Sequence, residues 1–108
     1  DNVFAAGRAL PAVIRPYAFR VPGEPLSMYF CVRSRGFHFK FRHDQGVDAP
    51  LVVFVPQYQY PDRQLLTVEI SDGRYEMNWA QQTLLYWHGG KHKVHTVCLN
   101  VHKITKYQ

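Results

Sequence analysis

Apolar and polar residues alternate with period two through most of this chain, the pattern of strands that bury one face and leave the other in solvent. It is cleanest at Phe37–Arg42, where Phe37, Phe39 and Phe41 share one side and His38, Lys40 and Arg42 the other. From Gln64 to Trp79 two alternating segments carry Leu66, Val68, Ile70 and then Tyr75, Met77, Trp79, joined by Ser71-Asp72-Gly73. Asp-Gly tolerates the positive φ values of a type I′ turn, so this stretch predicts a two-residue β-hairpin with an apolar face that needs a second layer. Leu26, Met28, Phe30 and Val32 line one face of a strand from Leu26 to Arg33, and Val97, Leu99 and Val101 one face of a strand from Lys93 to Val101. Tyr17, Phe19 and Val21 do the same between Val13 and Val21, where Pro16 bars the segment from the middle of a sheet. Leu51 to Val55 breaks the alternation: a continuous β-branched and aromatic run suits a strand covered on both faces.

Turns punctuate these runs at Val21–Pro25, at Ser34-Arg35-Gly36 and at Gly89-Gly90, with longer polar loops at His43–Pro50 and Gln57–Arg63. Leu84 to Trp87 reads as a further strand, and Ala80–Gln82 as at most one turn of helix. About eight short strands at spacings near ten residues predict an all-β fold, a single antiparallel β-sandwich of jelly-roll-like form, with a small barrel as the alternative. Residues 1–108 form one domain, with residues 1–10 as a flexible arm or short edge strand and residues 103–108 as a polar tail.

Composition narrows the class. The apolar fraction of 46% with 15% aromatics excludes a disordered chain and implies an interior rich in rings. No apolar run approaches the roughly 20 residues of a transmembrane helix, and no leader is visible at Asp1, so a secreted form would already have lost it. The net charge of +5 is unevenly spread: basic residues dominate up to Arg42, acids dominate from His43 to Ala80, and the tail carries only lysines. If the two ends lie side by side they make one positive surface. Cys31 and Cys98 both point away from the apolar faces of their strands. Matching parity predicts that they meet across neighbouring strands as a disulfide, worth about 4 kcal/mol for so long a loop, and hence a secreted or extracellular protein.

From Phe37 onward the order of features resembles laminin-G-like domains, sandwiches related in shape to legume lectins and galectins. The residues concerned are Phe37 to Arg42, Leu51 to Val55, Leu65 to Ile70 leading to Asp72-Gly73-Arg74, and Gly90 before Val94 to Val101. The galectin sugar-contact motif, His-x-Asn-Pro-Arg with a downstream Trp-x-x-Glu, is absent. The resemblance implies a sandwich shape and a tendency to bind glycans or glycosaminoglycans; it assigns no individual residue.

Three constellations could carry chemistry. Arg33, Arg35, His38, Lys40 and Arg42 lie on consecutive strands, three of them at outward intervals of about 7 Å, a spacing suited to sulfate or phosphate groups along a polyanion. Tyr58 and Tyr60, beside Gln57, Gln59 and Asp62, offer rings on which a sugar or base could stack. His88 and His92 flank Gly89-Gly90-Lys91, and a hairpin there would set them opposite each other at about 5 Å, a weak metal candidate for want of further ligands. No cofactor is expected, and no catalytic motif stands out, although His38 and Lys40 leave a small basic ribonuclease open. The expected function is a non-enzymatic, lectin-like domain binding a glycan or glycosaminoglycan. The alternatives are a nucleic-acid-binding barrel and a protein-interaction subunit paired through an edge strand, as a homo-oligomer or within a larger assembly.

Overall fold

Among the described residues of the computed structural model, 14–90 and 92–102, the chain forms eight strands. They are β1 (Tyr17–Arg20), β2 (Gly23–Phe30), β3 (Phe37–His43), β4 (Leu51–Phe54), β5 (Leu66–Ile70), β6 (Arg74–Asn78), β7 (Thr83–Trp87) and β8 (Val94–Val101). The arm expected at residues 1–10 and the tail at 103–108 lie outside the described residues. Two four-stranded sheets result, ordered β1-β4-β7-β6 and β2-β3-β8-β5, with every pairing antiparallel. Their inner faces meet in one core of Phe37, Phe39, Phe41, Val97 and Leu99 from the second sheet and Leu51, Val53, Leu84 and Tyr86 from the first. The all-β sandwich of about eight strands is the fold that the alternation predicts.

The strand faces follow parity where a strand is central. The three inward phenylalanines of β3 are at most 2% exposed, and Leu66, Val68 and Ile70 of β5 pack against the same core. At the edges parity fails. In β2 only Phe30 reaches the core, while Leu26, which a register shift between Pro25 and Ser27 takes out of the row, and Met28 stay exposed on this edge strand, as does Val32 beyond its end. In β1 a register shift between Ala18 and Arg20 turns Ala18 and Val21 inward and leaves Tyr17 and Phe19 outside.

The expected hairpin at Ser71-Asp72-Gly73 is a crossing instead. β5 pairs with β8 and β6 with β7, so the Asp-Gly corner carries the chain from one sheet to the other. Gly73 is still required there: its φ is +77°, and a Cβ would overlap the Trp87 carbonyl oxygen. The Gly89-Gly90 segment likewise crosses between sheets, from β7 to β8. The hairpins that do form are β2–β3, closed by Arg35 at φ 62°, and β6–β7, closed through Trp79–Gln82 with Gln82 at φ 54°.

Cys31 and Cys98 are free thiols. Parity does place both toward the outside of the second sheet, where they line one shallow cleft with Tyr29 and His38. Strand β3 runs between β2 and β8, however, and holds them apart, so the predicted disulfide does not form.

Candidate functional site

At one end of the sandwich the inward rows of four strands run out into polar residues. Phe37, Phe39 and Phe41 lead to His43; Leu66, Val68 and Ile70 lead to Asp72; Leu84 and Tyr86 lead to His88; Leu99 and Val97 lead to His95. Each side chain is therefore aimed between the sheets by the same pleat that aims its apolar neighbours. The inter-sheet corner at Gly73 delivers Asp72 to the centre of this group. Gly89 packs over it so closely that an added Cβ would lie 2.9 Å from Asp72 Oδ2.

Asp72 is the hub. Its Oδ1 accepts from the Tyr86 hydroxyl at 2.5 Å, from His95 Nδ1 at 2.8 Å and from Ser71 Oγ at 3.1 Å, and its Oδ2 accepts from the Gly89 amide at 3.2 Å. A carboxylate can only accept, so His95 carries its proton on Nδ1. When neutral, that ring presents an Nε2 lone pair, and His43 Nδ1 lies 2.8 Å from it. His88 stacks on His43 with ring centroids 4.5 Å apart and lies 4.8 Å from the His95 ring. Its Nδ1 is buried and has no hydrogen-bond partner among the described residues. One donor atom from each of His43, His88 and His95 falls within 4.8 Å of the others.

The electrostatics match this order. Burial acts to raise the Asp72 carboxyl, but hydrogen bonds from Tyr86 and His95, with the His95 charge, outweigh it and hold the group below its ordinary value. Tyr86 is pushed up, first by burial and then by its bond to Asp72. His88 is pushed down by burial and by the neighbouring His43 and His95. Its imidazole is thus held in the neutral form that can donate a lone pair.

The residues singled out from the sequence scatter. His38, Lys40 and Arg42 do alternate outward along β3, but Lys40 sits between Ser27 and Thr96, and Arg42 pairs with Glu24 at 3.2 Å. Arg33 is exposed in the β2–β3 turn, whereas Arg35 reaches back to the Gln59 carbonyl at 3.4 Å. The five do not form one bare cationic stripe. Tyr58 is exposed, but Tyr60 is a core residue, 2% exposed, whose hydroxyl donates to the Arg35 carbonyl at 2.8 Å. Tyr58 and Tyr60 therefore do not present a pair of exposed rings. His88 and His92 are not cross-strand partners, because β7 and β8 lie in different sheets; His88 instead joins His43 and His95. The sequence did carry a signal for this cluster, since each of its histidines falls on the inward parity of a core strand.

A second feature is the outer face of the first sheet. Tyr17 and Phe19 of β1, Val52 and Phe54 of β4, and Leu85 and Trp87 of β7 all point outward there. Tyr17 packs against Phe19 and Phe54 at 5.8 and 5.4 Å between centroids, and the Arg74 guanidinium lies 4.0 Å over the Trp87 ring at the β6 border.

Comparison with known proteins gives a family. Residues 15–99 match the glycoside hydrolase family 5 C-terminal domain. A glucosylceramidase of Rhizopus delemar is 33% identical over 85 residues, which is 79% of this chain and 12% of that protein. The fold is similar to that of sterylglucosidase 1 of Cryptococcus neoformans, with a TM-score of 0.68 and 22% identity over 81% of this chain and 13% of that one. It is similar also to endo-glycoceramidase II from Rhodococcus sp., with a TM-score of 0.65 and 16% identity over 82% of this chain and 19% of that one. The chain thus spans a small part of the proteins it matches. These findings overturn the laminin-G-like and lectin-type resemblance, which rested on strand and turn order that many sandwiches share. They also overturn the expectation of a free-standing, non-enzymatic lectin: the matching family is a domain of glycoside hydrolases. Neither the nucleic-acid-binding barrel nor the interaction subunit finds support among these relatives.

Proposed function

We propose that this chain, which belongs to the glycoside hydrolase family 5 C-terminal domain family, is the β-sandwich domain of a longer glycosidase that cleaves sugar from a lipid. Within that enzyme it docks on the catalytic part through the outer face of the β1-β4-β7-β6 sheet. The substrate class is supported by the relatives, which are a glucosylceramidase, a sterylglucosidase and an endo-glycoceramidase. Glycoside hydrolysis uses two carboxyl groups that flank the scissile bond. Among the described residues only Asp72 is a half-buried carboxylate, and its oxygens are already engaged; the remaining carboxylates are exposed. The hydrolytic pair is therefore assigned to the rest of the enzyme.

The observation that carries the docking role is the aromatic outer face itself. Six apolar side chains on three adjacent strands form a surface that a lone domain would cover or make polar. The larger part of the enzyme, which the chain's 12% share of the glucosylceramidase implies, is the body that covers it.

Amide exchange on the complete enzyme and on this chain alone tests the docking: β1 and β4 are expected to exchange more slowly in the complete enzyme. Equal exchange at Phe19, Val52 and Phe54 would overturn it. Assays of the complete enzyme on a glucosylceramide, a steryl glucoside and a soluble disaccharide test the substrate class, and cleavage of the disaccharide alone would sink it.

A further inference from the structure

We infer that His43, His88 and His95 form a binding site for one divalent transition metal ion of the zinc class. The site draws on three different segments, the end of β3, the segment after β7 and the start of β8, which the fold brings to one point. Three features of the geometry fit a metal better than a hydrogen-bonded cluster of side chains.

The first is the carboxylate behind His95. Asp72 fixes the His95 proton on Nδ1 and turns the Nε2 lone pair into the cluster. Metal-ligating imidazoles are regularly held this way, the far nitrogen donating to a carboxylate that sets the tautomer and raises basicity. The Tyr86 hydroxyl, Ser71 hydroxyl and Gly89 amide hold that carboxylate in turn.

The second is the orphan nitrogen. His88 Nδ1 is buried between neighbouring imidazoles and has no partner among the described residues, a costly state unless a further group reaches it. An ion bound by His95 and His43 would satisfy it.

The third is spacing. Tetrahedral ligands at zinc–nitrogen distances of about 2.0–2.1 Å lie roughly 3.3 Å apart. Here the His43–His95 nitrogens lie 2.8 Å apart, sharing a proton, and all three donor atoms fit within 4.8 Å. Replacing the shared proton with a cation requires His43 to open from His95 by about half an ångström and to turn out of its stack on His88, because a ring lone pair lies in the ring plane, and it requires a donor pair near 4.8 Å to close by about 1.5 Å. His43 is the last residue of β3 and is only half-buried, so it can move while His95, with no exposed surface, stays fixed.

The donor set selects the ion. Three imidazoles without thiolates suit zinc, copper, nickel or cobalt, whereas calcium and magnesium want oxygen ligands. The nearest carboxylate oxygen, Asp72 Oδ1, already accepts three hydrogen bonds. His43 also lines an open cleft with Asp44, Gly90 and His92, which gives an ion a path in and leaves room for water at a fourth position.

Titration of this chain with Co2+, followed by visible absorption and then by competition with Zn2+, tests the site. The expected result is a saturable band of four-coordinate cobalt at one ion per chain, abolished by equimolar Zn2+. His88→Ala and His43→Ala should each weaken binding about tenfold or more, a loss at least as large as that from removing an outer-shell partner. His92→Ala should change nothing. Circular dichroism identifies variants that keep the fold, and His43→Ala, at a half-buried strand end, supplies the answer if His88→Ala unfolds. No saturable band at millimolar Co2+ would overturn the inference. Binding that survives both His88→Ala and His43→Ala, or that disappears in His92→Ala, would overturn it equally.

Discussion

The two sheets turn opposite kinds of surface outward. On the second sheet the outward positions are mostly polar, with His38, Lys40 and Arg42 of β3, Thr96, Cys98 and Asn100 of β8, and Thr67 and Glu69 of β5, and with Tyr29 of β2 and Val94 of β8 as exposed exceptions. On the first they are Tyr17, Phe19, Val52, Phe54, Leu85 and Trp87, with polar groups at Arg20, at Thr83 and along β6 at Arg74, Glu76 and Asn78. The contrast is already written in β3 and β4. Phe-His-Phe-Lys-Phe-Arg-His alternates, as a strand facing water must, and Leu-Val-Val-Phe does not. A strand that is apolar on both sides in a two-layer sandwich needs a third layer. This chain does not supply one on that side among its described residues, which is why a covering partner is proposed.

Substitutions can break this comparison. The largest effect is expected in the shared core: Phe39→Ala should cost about 3–5 kcal/mol and unfold most of the chain, measured by urea denaturation. On the outer face of the first sheet, Phe54→Ala should behave differently in two settings. In the complete enzyme it should cost about 3 kcal/mol, as for a buried ring. In this chain alone, where Phe54 has Tyr17 as its aromatic partner, the cost should stay below about 1.5 kcal/mol. Equal costs in both settings would show that nothing covers the face.

The second sheet should tolerate more. Lys40→Ala with Arg42→Ala is expected to change stability by less than about 1 kcal/mol, because the Arg42–Glu24 pair is exposed at both ends, 53% and 60%. Complete unfolding of that double variant would mean that its outward face is buried after all.

The smallest effect is chemical rather than energetic. Hydrogen bonds from the Ser34 side chain and from the backbone of Ser34 and Arg33 lower the Cys31 thiol to about 7, whereas burial and then Glu69 push the Cys98 thiol up. Near neutral pH iodoacetamide should therefore label Cys31 well before Cys98, with the Cys31 rate rising as pH climbs through about 7. Peptide mass spectrometry reads both sites. Equal rates would contradict the difference in environment, and two unlabelled cysteines would restore the disulfide.

The sequence alone determined which way a side chain points within a central strand. Phe37, Phe39 and Phe41 face inward as the alternation requires, and the same parity carries His43, Asp72, His88 and His95 between the sheets. It also located corners, since Gly73 must be glycine wherever the chain goes next. Partners were another matter. Asp72-Gly73 has the chemistry of a hairpin and joins two sheets, while Trp79–Gln82 closes a true hairpin with neither glycine nor proline. Two cysteines of matching parity are separated by β3, and two histidines four residues apart part company at a sheet crossing. The pleat is a property of consecutive residues, so it is legible locally. Strand order is chosen by which apolar faces can be buried together across the whole molecule, and only the tertiary structure brings Asp72 beneath His95 or sets His43 against His88.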